Sequence, residues 1–87
     1  MKGKHFHTEW SFVAQFTKCG KEVRTIRYLM DNNIPFRTED EAYACLHRVL
    51  AYAEHHIQTT DGQGNYDAIN IKNPVRRIVT EWEDEET

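Results

Sequence analysis

Residues 9–17 carry the sequence Glu-Trp-Ser-Phe-Val-Ala-Gln-Phe-Thr, and this stretch decides the fold. Trp10, Phe12, Ala14 and Phe16 fall on one face of an extended chain, and mostly polar residues alternate with them. A period of two with this many aromatic residues predicts a half-buried β-strand. The segments that follow are interpreted by how they would pack against this strand.

The next segment predicts a strand that returns along the first. Residues 18–21 include a glycine, which tolerates a positive φ and lets the chain reverse. Residues 23–30 are rich in residues that favour strands, so we expect a hairpin over about residues 9–30. Residues 31–33 predict a turn, and residues 34–36 predict a loop or a short edge strand because of their proline.

A helix is predicted over about residues 39–57. Thr38 and Glu41 have the spacing of a capping box, in which the threonine hydroxyl and the glutamate carboxylate each accept a backbone N–H of the first turn. The apolar residues that follow recur at helical spacing and form one stripe. The stripe consists of Ala42, Cys45, Leu46, Val49, Leu50, Ala53 and Ile57.

The rest of the chain predicts one more strand and a tail. Residues 68–82 favour a final strand that Pro74 interrupts, and residues 83–87 form an acidic tail. The order β-β-α-β predicts an α+β fold in one domain over residues 1–87. We expect a small antiparallel sheet of three to four strands with one α-helix packed on one face. The other face is expected to be open to solvent or to a partner.

Composition narrows the class of protein. The chain has 87 residues and a net charge of −3, with an excess of cations in residues 1–30 and of carboxylates afterwards. No stretch approaches the roughly 18 apolar residues of a membrane span, and no apolar run follows the first residues to make a signal peptide. The two cysteines lack the spacing of a redox or metal motif. We therefore expect a cytoplasmic protein that does not interact with a membrane.

The sequence holds no pattern that is typical of an enzyme. Cys19 lies among lysines, but no base or orienting group is close to it in sequence. His5 and His7 could join His55 or His56 in a zinc site, yet the ligand spacings of known zinc motifs are absent. We expect no catalytic residue, no metal and no cofactor.

One interpretation of function is nucleic-acid binding by the hairpin. Its cations and aromatic residues are the types that neutralise phosphates and stack on bases. The candidate residues are Lys18, Lys21, Arg24, Arg27 and Tyr28.

A family resemblance points the same way. Phe36, Thr38, Glu41 and Ala42 match an F-x-T-x-x-E-A pattern at the junction of strand and helix. In this the chain resembles the N-terminal arm-binding (AP2-like) domain of phage and transposon integrases, over about residues 9–53. The resemblance implies a DNA-binding module. The chain differs from that family in its acidic net charge and in Pro35 within the third strand.

The leading interpretation is a small, non-enzymatic regulator or inhibitor that binds another protein. In size, charge and order of elements the chain is similar to phage-encoded inhibitors of host enzymes, including RNA polymerase inhibitors and anti-CRISPR proteins. Two surfaces are candidates, an acidic patch and the open sheet face or hairpin edge, and the exposed sheet could also support a homodimer. The acidic residues are Asp40, Glu54, Glu81, Glu83, Asp84, Glu85 and Glu86, and the open-face residues are Val13, Arg27 and Leu29.

Overall fold

The computed structural model describes the backbone of residues 4–82 and the side chains of residues 6–80. Within that range it confirms the α+β class, with one helix packed against a small antiparallel sheet. The elements are β1 (Lys4–Lys18), β2 (Lys21–Tyr28), β3 (Met30–Asp31), β4 (Ile34–Pro35), α1 (Glu39–Thr59), β5 (Ala68–Ile71) and β6 (Val75–Trp82).

Strand β1 is the centre of the sheet. Its second half, residues 12–18, pairs with β2 along one edge, and residues 14–17 pair with β5 along the other. Its first half, residues 4–11, pairs with β6. All these pairings are antiparallel. The predicted hairpin and the interrupted final strand are therefore present, but β1 begins at Lys4 rather than at Glu9.

Residues 4–11 of β1 together with β6 form a two-stranded segment that we call the ribbon. Among the described elements β6 packs mainly on β1, and α1 packs on β1 and β5. The molecule measures 61 × 22 × 20 Å and has a radius of gyration of 17.5 Å. A compact domain of this length has a radius of gyration of about 12 Å, so the ribbon projects well beyond the packed body.

The core lies between α1 and the second half of β1. Phe12 and Phe36 are almost completely buried, and the Phe12 ring stacks on Tyr28 with centroids 4.8 Å apart. The helix contributes its predicted stripe, of which Ala42 and Ala53 are among the most buried members. Small residues at these positions let the helix approach the sheet closely.

Phe36 is a core residue that the sequence did not indicate. The turn predicted at residues 31–33 is present, with positive φ at Asn32 and Asn33, and it joins the short strands β3 and β4. Phe36 follows this hairpin, and its carbonyl accepts a hydrogen bond of 2.9 Å from the N–H of Trp10. This bond places the Phe36 ring against Phe12, with centroids 6.1 Å apart.

The helix begins with the predicted capping box. The Thr38 hydroxyl accepts a hydrogen bond of 3.2 Å from the Glu41 N–H, and Glu41 Oε1 accepts one of 3.1 Å from the Thr38 N–H. The same oxygen accepts a bond of 2.8 Å from the Arg37 N–H. These bonds satisfy N–H groups at the start of the helix that have no partner within it.

We expect Thr38→Ala to lower the free energy of unfolding by about 1 kcal/mol, because it removes the side-chain acceptor of the N-cap. Urea denaturation followed by circular dichroism measures this change. Thr38→Ser keeps an acceptor at the same position and should stay close to the parent protein. Equal destabilisation by both variants would contradict this account of the cap.

Candidate functional site

The two faces of the sheet differ in composition. The face under α1 carries Phe12, Ala14 and Phe16, all of them buried. The opposite face is open and polar, apart from the half-buried Val13. Its central side chains, placed by the strand register, are Ser11, Val13, Gln15, Thr17, Thr25, Arg27, Asn70 and Lys72. Val13 and Arg27 therefore occupy the face that the sequence assigned to them.

The cations of the hairpin do not share one surface. Arg24 lies opposite Phe16 in the register, on the side of the sheet that faces the helix. Arg27 lies opposite Val13 on the open face. Lys18 donates a hydrogen bond of 2.6 Å to the Gly62 carbonyl.

The other two residues of the nucleic-acid prediction are separated as well. Lys21 is exposed beside the turn that joins β1 and β2. Tyr28 stacks on Phe12 and packs on the core, so its ring is not free to stack on a base. The five predicted residues therefore do not form one binding surface.

The predicted acidic patch is not assembled by the described residues. Asp40 lies in the first turn of α1 and Glu54 near its end, and both side chains are exposed. At a rise of about 1.5 Å per residue they are about 21 Å apart along the helix axis. The side chain of Glu81 and the whole of residues 83–87, which include Glu83, Asp84, Glu85 and Glu86, lie outside the described part of the chain.

A groove lies on the open face where the ribbon meets the body, and we call it the junction groove. Its volume is about 230 Å³. Leu29 and Val75 border it with exposed fractions of 44% and 55%, whereas the half-buried Trp10 side chain packs against the core from the other face. The lining consists of Glu9, Trp10, Ser11, Arg27, Leu29, Val75, Arg76 and Arg77.

On the open face the junction groove holds two arginines, Arg27 and Arg77, and one carboxylate, Glu9. Arg77 donates two hydrogen bonds to Oε1 of Glu9, at 3.2 Å from Nε and 3.0 Å from Nη2. His7 Nε2 lies 3.0 Å from the other oxygen of that carboxylate. The hydrogen bond from His7, followed by that from Arg77, holds the pKa of Glu9 below its ordinary value. Glu9 is therefore ionised at neutral pH, and its charge is offset by Arg77.

One further cation, Arg27, is available in the groove. Arg27 Nη1 donates a hydrogen bond of 2.8 Å to the Ser11 hydroxyl, so its charge has no acidic partner within the described residues. Arg76 is also exposed, but it lies opposite Trp10 in the register, so its side chain belongs to the other face of the ribbon. The groove therefore combines uncompensated positive charge with apolar side chains.

Most residues of this groove were missed from the sequence. Leu29 and Arg27 were expected on an interaction surface, whereas Glu9, Arg76 and Arg77 were not. The pair Arg76-Arg77 was a signal, because it interrupts a segment that is otherwise typical of a strand. Its position opposite Trp10 and Glu9 depends on a register that the sequence does not reveal.

Of the cysteine and histidine side chains that the structure describes, His7 is the one that contacts a residue of the groove. Cys19 is exposed at the first turn, and Cys45 is buried, which raises the pKa of its thiol. His56 stacks on Tyr66 at the end of α1, far along the chain from His7 on the ribbon. Among the described residues no group of three histidine, cysteine or carboxylate side chains is arranged to hold a metal ion. In residues 4–82 no helix is long and apolar enough to cross a membrane.

We expect Ellman's reagent to modify one thiol of the native protein quickly and the second only after unfolding. Cys19 is accessible, whereas burial protects Cys45 and disfavours its thiolate. The Cys19→Ser variant should therefore show no fast phase and should regain one reactive thiol in urea. Two thiols of equal reactivity in the native protein would contradict the position of Cys45.

Comparison with known proteins gives no match: no family model, no curated protein and no solved structure is similar to this chain. The resemblance to the AP2-like domain and the similarity to phage-encoded inhibitors therefore remain predictions from the sequence.

Proposed function

We propose that the protein is a non-enzymatic regulator that binds another protein, and that it does so by holding an acidic, extended segment of its partner in the junction groove. The observation that carries this proposal is the groove's lining of the exposed apolar side chains of Leu29 and Val75 and two arginines against a single carboxylate. Because Arg77 already offsets that carboxylate, an incoming glutamate or aspartate meets a net positive site.

The composition of the groove supports protein binding. Arginine is among the residue types that most often dominate the binding energy of protein interfaces. The Arg27 side chain is held by its hydrogen bond to the Ser11 hydroxyl, so less of its freedom is lost on binding. Preorganised side chains of this kind reduce the entropic cost of association.

The backbone next to the groove supports an extended partner. The N–H of Trp10 points away from β6, so by strand alternation the N–H and C=O groups of Phe6 and Thr8 point the same way. Within the described residues no strand pairs with this part of the β1 edge. An extended segment can add to such an edge by backbone hydrogen bonds while its side chains reach the neighbouring groove.

We expect a fluorescently labelled peptide of alternating glutamate and leucine to bind, and Arg27→Ala to weaken its binding by about tenfold, the effect of losing an arginine that dominates an interface. Fluorescence anisotropy measures the dissociation constant. Arg37→Ala is the matched control, because Arg37 is an exposed arginine outside the groove.

Two outcomes would overturn this proposal. One is equal binding of a peptide in which lysine replaces glutamate, since the groove's charge should exclude it. The other is equal weakening by Arg37→Ala and Arg27→Ala, which would show that only the net charge of the protein matters.

DNA binding is a second candidate function. The surface that suits it is the open sheet face, not the five hairpin residues taken together. Arg27 and Lys72 flank Val13 on that face, and Asn70 adds an amide group that suits base edges, whereas the Gln15 amide donates a hydrogen bond of 3.2 Å to Glu22. The carboxylates of α1 lie on the other side of the sheet. Three strands at about 4.8 Å spacing fit a major groove about 12 Å wide.

If the open face binds DNA, Lys72→Ala should weaken binding to duplexes of every sequence. It should also reduce by about one the slope of the logarithm of the binding constant against the logarithm of the salt concentration. Anisotropy of a labelled DNA duplex across a range of salt concentrations tests this. Lys21→Ala removes the same charge outside the open face and serves as the control. Duplex RNA, whose major groove is deep and narrow, should bind more weakly than DNA.

A further inference from the structure

The outer edge of β6 offers a row of unpaired backbone groups. The Val13 carbonyl accepts a hydrogen bond of 2.9 Å from the Lys72 N–H, so the odd residues of β1 face β5 and β6. Glu9 lies opposite Arg77, and His7 lies opposite Val79, so the odd residues of β6 face β1. By alternation, the N–H and C=O groups of the even residues of β6 point outward, away from β1. Among the described residues β6 pairs with β1 alone.

The ribbon also leaves apolar side chains exposed. Phe6 and Ile78 have exposed fractions of 64% and 67%. The register places them on one face, because Phe6 lies opposite Thr80 and Ile78 opposite Thr8. A two-stranded ribbon is only marginally stable in water without a further strand or a packed face. The ribbon therefore lacks a stabilising neighbour within the described part of the chain.

The order of charges along β6 identifies what could cover its edge. Arg76 and Arg77 lie near the beginning of the strand, and Glu81 lies near its end. An antiparallel strand with the same order of charges brings its acidic end to the basic end of β6. It also brings its basic end to the acidic end of β6. Such a strand is β6 of a second copy of this chain. A parallel copy would place arginine beside arginine, which is unfavourable.

We infer that two copies of the protein associate through antiparallel pairing of their β6 strands, centred on Val79. This register places residue 77 of each copy opposite residue 81 of the other. The arrangement has two-fold symmetry, and the two ribbons join into one four-stranded sheet. Because the symmetry axis is perpendicular to that sheet, Phe6 and Ile78 of both copies lie on the same face and form a larger apolar surface.

The inference does not depend on the proposed function. The dimer uses the outer edge of β6, whereas the proposed partner segment uses the opposite edge of the ribbon and the junction groove. A monomeric variant can therefore be tested for peptide binding by itself, so failure of one proposal is distinguishable from failure of the other.

The first experiment is sedimentation velocity of the parent protein and of two proline variants over a range of concentrations. The parent should form a species of twice the 10.3 kDa chain mass. In Thr80→Pro the lost N–H points outward, so internal pairing is kept but pairing with a second copy is blocked. We expect the dimer dissociation constant to rise at least tenfold. Thr25→Pro is the matched control, because Thr25 has an outward N–H on the free edge of β2.

A second experiment tests the charge order and does not rely on proline. Glu81→Arg should weaken the dimer, and adding Arg77→Glu should restore much of it, because the two charges exchange places across the interface. Circular dichroism melts check that each variant is folded. A parent protein that stays monomeric at all concentrations, a dimer unaffected by Thr80→Pro and Glu81→Arg, or equal dissociation by Thr25→Pro would each overturn the inference.

Discussion

The rest of the structure depends on the pairing of β1 along both of its edges. Residues 12–18 have β2 on one side and β5 on the other, and this part of the strand carries the aromatic side chains that α1 covers. The first half of the same strand pairs with β6 on one edge, and on the other edge its backbone bonds, within residues 4–82, to the Phe36 carbonyl alone. One continuous strand therefore joins a packed body to an open ribbon, and the junction groove lies where the two meet.

The parts of the fold that local chemistry determines were predictable. The capping box of Thr38 and Glu41 and the alternation of Phe12, Ala14 and Phe16 each depend on residues a few positions apart, and both are present as expected. The same alternation could have separated Arg24 from Arg27, since residues three apart in a strand point to opposite faces. Grouping them by closeness in sequence was the error in the basic-hairpin prediction.

The candidate site was hidden because its residues come from three strands. The decisive detail is the chain around Pro74: Lys72 bonds to Val13, yet Val75 lies opposite Ser11. One extra residue is therefore accommodated on this side, as in a β-bulge, and the alternation shifts by one. That shift decides that Arg77 meets Glu9 and that Arg76 lies opposite Trp10. Pro74 indicates that the final strand is interrupted, but the sequence does not show how many extra residues the interruption contains.

An exposed strand edge normally invites unspecific association, and proteins limit this with charges on the edge. The arginines near the start of β6 disfavour pairing with a parallel copy. They also disfavour an antiparallel copy in any register that places arginine opposite arginine. They do not oppose an antiparallel copy whose acidic end faces them. The same residues that protect the edge from most partners therefore select one arrangement. The charge of Arg27 has the same effect in the junction groove, where it disfavours basic segments and favours acidic ones. Charge thus restricts the partners of both surfaces, while the apolar side chains beside it supply contact area.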